Sequence, residues 1–67
     1  MKVDVNRINH LIVTEQLEVA YKALLHYGKI ITDANLNGTR HIMFDYLDAM
    51  YKVEKCGGEV TKINLVG

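Results

Sequence analysis

Cys56 has no second cysteine to pair with, and this limits how a chain of 67 residues can hold a fold. A domain so short hides only about 60% of the surface its unfolded chain exposes, so its core is thin. Domains of this size commonly draw the missing stability from disulfides, a metal or a partner. A disulfide within the chain is excluded. The strong nitrogen and sulfur ligands, His10, His26, His41 and Cys56, are widely spaced and form no C-x-x-C or H-x-x-x-H pair. Metal sites usually show one such close pair, so no metal is expected. A partner chain, identical or different, is the remaining route. The expectation is an oligomer, or a domain that is marginal alone.

Length leaves room for one domain, residues 1–67. Apolar residues make up 49% and charged residues 24%, a globular composition rather than a disordered one. Eight Lys and Arg balance eight Asp and Glu, which gives no electrostatic footprint for nucleic acid or an anionic membrane. Apolar runs are no longer than the trio Leu11-Ile12-Val13, far short of a membrane span. One free cysteine and no secretory signal fit a reducing cytosol, so a cytoplasmic location is expected.

The spacing predicts a mainly α domain: a small antiparallel pair of principal helices, at about 14–27 and 39–56, with β-edges at the termini. In 14–27, Val13, Leu17, Ala20 and Leu24 form one stripe, Glu15 and Glu18 suit the positive end of the helix dipole, and Gly28 supplies a stop. In 39–56, Met43, Tyr46, Leu47, Met50 and Val53 recur at helical spacing. Thr39 serves there as N-cap, Asp48 and Lys52 as an i,i+4 pair, and Gly57-Gly58 as C-cap and turn. Residues 7–13 suit a shorter helix or a strand, with the helix preferred because they lead into a helical segment, and 29–38 reads as a connector closed by the turn signal Asn37-Gly38. The alternating patterns of 1–6 and 61–65 read as strands that pair with each other or with another protein. No internal repeat and no proline are present.

Candidate chemistry is sparse. Cys56 lacks a neighbouring histidine to act as a base. Asp45 and Asp48 lie beside Arg40 and Lys52, as a solvated face would. Gly57-Gly58 follows a helix in this reading, so it offers a phosphate no helix N-terminus. No catalytic, cofactor-binding or metal residue is assigned, and an enzyme is not expected. The broad apolar girth of 39–56 is the leading functional feature. Phe44, Tyr46, Met50 and Tyr51 cannot easily all enter one small core, and aromatics and Met are enriched at interfaces. These four are the expected partner-binding residues, with Tyr51 at the stripe edge as the anchor.

The function expected is a non-enzymatic protein-interaction module: an adaptor, inhibitor or modulator of a larger cytosolic host protein. In general type the chain resembles the small, motif-free proteins that phages and mobile elements use to redirect a host enzyme. The alternative is a small dimeric DNA-binding transcriptional regulator, with Thr39-Arg40-His41 opening a recognition helix.

Overall fold

A computed structural model describes residues 5–66. Its element order is two helices followed by four strands: α1 (Val5–Val13), α2 (Leu17–Tyr27), β1 (Lys29–Leu36), β2 (Thr39–Tyr46), β3 (Ala49–Cys56) and β4 (Glu59–Leu65). The strands form one antiparallel meander in the order β1-β2-β3-β4. Strand accounts for 50% of these residues and helix for 32%. The mainly α expectation is therefore corrected, and with it the description of the chain as a small helical protein.

The correction centres on 39–56, which is a β-hairpin. Ile42, Phe44 and Tyr46 alternate on β2, as do Tyr51 and Val53 on β3, and all five are buried. That is the period of two that a half-buried strand requires. Between them Leu47 (φ 50°) and Asp48 (φ 63°) make a two-residue turn. Asn37-Gly38 (φ 53° and 82°) and Gly57-Gly58 (φ 61° and 85°) close the flanking hairpins in the same way. Positive φ at both central residues is the turn geometry whose twist matches paired strands. The three turns recur every ten residues, one strand and one turn apart. The turns expected at 37–38 and 57–58 form, although Gly57-Gly58 follows a strand rather than a helix.

The helical half of the expectation is closer. Residues 7–13 lie in α1, and α2 ends at Gly28, whose N–H donates to the Leu24 carbonyl at 2.8 Å. The expected helix of 14–27 starts late because Thr14, Glu15 (φ 60°) and Gln16 form a corner. The Gln16 N–H returns to the Leu11 carbonyl at 2.8 Å, and the Thr14 hydroxyl donates to His10 O at 2.8 Å. The expected N-terminal strand does not form where it can be seen: Val5 and Asn6 open α1, and residues 1–4 lie outside the described residues. The expected C-terminal strand is β4, with its neighbour in β3 rather than at the N-terminus.

The helices lie on one face of the sheet. Ile8, Leu11, Ala20, Tyr21 and Leu24 pack against Ile42, Phe44, Tyr46, Tyr51, Val53, Val60 and Ile63. Tyr21 meets Phe44 edge to face with ring centroids 6.1 Å apart, a favoured aromatic geometry. The Lys55 ammonium sits 4.6 Å from the Tyr21 ring centroid. Two polar contacts fasten the helices to the far strands. Tyr51 Oη donates to Asn9 Oδ1 at 2.9 Å, and the Val60 N–H donates to Glu18 Oε1 at 3.0 Å. No helix among the described residues is long and apolar enough to cross a membrane.

Candidate functional site: the open edge of the sheet

Phe44, Tyr46 and Tyr51 are not available to a partner. Their relative exposures are 0%, 5% and 0%, and a sheet gives all three the same inward face. Burial pushes the Tyr51 phenol above its ordinary pKa, with Tyr46 adding to the effect. Of the four residues expected to bind, only Met50 reaches solvent, on the face of the sheet away from the helices. The surplus of apolar residues that suggested a binding face is consumed by the core.

Among the large apolar residues left exposed are Ile30, Ile31 and Leu36, on the segment read as a connector. Ile30, Ile31 and Thr32 are β-branched and suited to a strand, and the Asn37-Gly38 turn folds them back on β2. All eight residues of β1 are exposed, including Ile30, Ile31 and Leu36 at 46%, 46% and 63%. The ladder to β2 is interrupted by a bulge between Ile30 and Thr32 and then runs regularly from Thr32 to Leu36. Asp33 and Arg40 brace this part. Arg40 Nε donates to Asp33 Oδ1 at 2.8 Å, and an Arg40 terminal nitrogen meets Asp33 Oδ2. The guanidinium holds the Asp33 carboxyl below its usual range. The same pairing raises Arg40.

The two sheet edges differ. Along β4, Val60 and Ile63 are buried under the helices, and the Glu18 carboxylate takes the Val60 N–H. A polar side chain there occupies a backbone donor that would otherwise be offered to another strand. Along β1 no residue is buried and no proline intervenes. The one carboxylate on the strand is neutralised by Arg40.

The remaining candidates are dispersed. His10 lies on α1, and His26 stacks edge-on against Tyr27 at 4.5 Å in the last turn of α2. His41 lies on the uncovered face of β2, with Nδ1 3.9 Å from Glu54 Oε1. Cys56 is exposed at the end of β3. Among the described residues no three His, Cys, Asp or Glu side chains are grouped to hold a metal ion. Asp45 and Asp48 border a shallow groove of about 450 Å³ with Tyr27, Gly28, Lys29, Tyr46 and Leu47. The Thr39-Arg40-His41 element begins a strand, and Arg40 is engaged by Asp33, so it is not the start of a recognition helix. The chain matches no family model, and neither a curated protein nor a solved structure is similar to it.

The edge was missed because Asp33, Asn35 and Asn37 are turn formers and drew the whole of 29–38 into a loop. The signal that could have found it is the β-branched run Ile30-Ile31-Thr32 placed just before an Asn-Gly turn, which is a hairpin pattern.

Proposed function

We propose that the chain is a non-enzymatic protein-interaction module, an adaptor, inhibitor or modulator of a larger cytosolic protein, whose working surface is the edge of β1. One observation carries this reading: eight consecutive exposed strand residues, of which 32–36 run regularly along an outer edge, opposite an edge where a Glu18 carboxylate takes the Val60 N–H. Strand addition to such an edge gives affinity through main-chain hydrogen bonds and selectivity through the side chains that flank them. Ile30, Ile31 and Leu36 supply apolar contact around that ladder. The single exposed thiol of Cys56 suits a reducing compartment.

The test uses Asn35→Pro. In a hairpin closed by two residues, the flanking pair Leu36 and Thr39 is mutually bonded, so the N–H and C=O of Asn35 and Asp33 point away from β2. Proline at Asn35 therefore blocks the outer edge without removing a bond to β2. Wild-type and variant chains are used as bait in lysate, with thermal melts in parallel. The expected result is a partner retained by the wild type and lost by a variant that melts normally. Equal retention by both would refute the edge as the working surface.

A further inference from the structure

We propose that β1 pairs antiparallel with β1 of a second copy of this chain, about a two-fold axis at Ala34, joining two four-stranded sheets into one of eight strands. The proposal rests on the reading of β1 as the binding edge and gives that edge a resting occupant, which a larger partner would displace.

The outward backbone groups limit the possible registers. Between the bulge and the turn, only Asp33 and Asn35 direct N–H and C=O away from β2. A two-fold that sets Asp33 against the partner's Asp33 opposes like charges, which destabilises a cross-strand pair. A two-fold at Asn35 runs into the turn at Asn37-Gly38 and leaves Asp33 unmatched. A two-fold at Ala34 sets Asp33 against the partner's Asn35, and Asn35 against the partner's Asp33. Every outward group of 32–36 on both strands is then used, and each carboxylate faces an amide.

The register also fixes which side chains meet on each face. Residues opposite one another in the sheet share a face, so Asp33, Asn35 and Arg40 lie on the helix side, and Thr32, Ala34 and Leu36 on the other. On the helix side, the row across the joined sheets reads Arg40, Asn35 and the partner's Asp33, so the Asn35 amide stands between the guanidinium and that carboxylate. Each Asp33 keeps the guanidinium of its own Arg40, so the two carboxylates that this register sets diagonally across the seam are each already paired. On the other side Ala34 meets the partner's Ala34 at the closely spaced type of pair, where a small side chain fits. Leu36 falls opposite the partner's Thr32. The bulge at Ile31 ends the ladder, so the contact spans five residues of each strand and is expected to be reversible.

The experiment places Ala34→Cys in a Cys56→Ser background under mild oxidation. Cross-strand Cβ atoms at such a pair lie near the distance that a disulfide spans. The expected result is a covalent dimer from Ala34→Cys and little from Leu36→Cys, whose sulfur sits several residues from its counterpart. Sedimentation of the unmodified chain over a dilution series is expected to show monomer passing to dimer, and Asn35→Pro to remain monomeric. A chain that stays monomeric throughout, with no preference for linkage at Ala34, overturns self-pairing. If Asn35→Pro then still abolishes capture of another protein, the edge reading survives with a different occupant. If it does not, both readings fall together.

Discussion

Replacing Asp48 with glycine tests the fold by the sign of its effect. Asp48 sits at φ 63° in the β2–β3 turn and its side chain is exposed. An L-residue in that conformation costs about 1–2 kcal/mol, with Asp at the lower end because its short side chain can bond locally. Glycine removes the cost but brings back about 0.5–1 kcal/mol of backbone entropy. The net expectation is a gain of about 0.5 kcal/mol, with no packing lost. For a domain of this size that raises Tm by about 2–4 °C. In a helix over 39–56 the same change would lower stability, through glycine's poor helix propensity and the loss of an Asp48–Lys52 pair worth about 0.2–0.5 kcal/mol. Gly38→Ala is the reciprocal control. Gly38 has φ 82°, and a Cβ built there meets nothing within 4 Å, so its expected cost of about 1–2 kcal/mol is backbone strain alone. Thermal and urea melts on both variants decide the matter. A lower melting temperature for Asp48→Gly, with Gly38→Ala neutral, would refute the turn and the hairpin built on it.

Three further outcomes are expected. Gly28→Ala should destabilise the fold by about 1–3 kcal/mol in urea melts, because the added Cβ would lie 2.7 Å from the Leu24 carbonyl oxygen and 3.3 Å from that of Asp45. Tyr51→Phe should cost about 0.5–1.5 kcal/mol by loss of the bond to Asn9 Oδ1, whereas Tyr51→Ala should cost about 3–5 kcal/mol and take any binding down with the fold. Asp33 has a folded-state pKa below its unfolded value, so its contribution is in place above roughly pH 4 and is lost as pH falls through the folded value. Asp33→Asn should therefore flatten the acid limb of a stability–pH profile and leave the neutral and alkaline limbs parallel.

The parts of the fold that could be read from sequence were those marked by backbone chemistry. Asn37-Gly38, Gly57-Gly58 and the helix stop at Gly28 are positions where glycine or asparagine meets a geometric demand. The hairpin of 39–56 was hidden because its apolar residues satisfy two periods at once. Met43 and Met50 lie on the uncovered face of the sheet, and together with Tyr46 and Val53 they complete a helical stripe. Without them, Ile42, Phe44, Tyr46, Tyr51 and Val53 alternate cleanly. The turn between the strands gave little warning, since Leu47 is a poor choice for positive φ and neither central residue is a glycine. The error in the site followed from the error in the fold. On a helix Phe44 and Tyr51 share one side and Tyr46 lies nearly opposite, so one side must face outward, whereas on a hairpin all three point inward.

The order of elements has a consequence for how the chain acquires its structure. Each hairpin joins neighbours through two residues, so the meander can zip from its turns on the microsecond scale of hairpin formation. The helices come first in sequence, yet the two polar ties to β3 and β4 each span 42 residues. Ile8, Leu11, Ala20 and Leu24 thus leave the ribosome well before the sheet that covers them exists. During synthesis the N-terminal segment is an exposed amphipathic pair awaiting β4. β4 follows the other strands and completes the core, so a chain truncated before residue 59 would lack the strand its helices contact most.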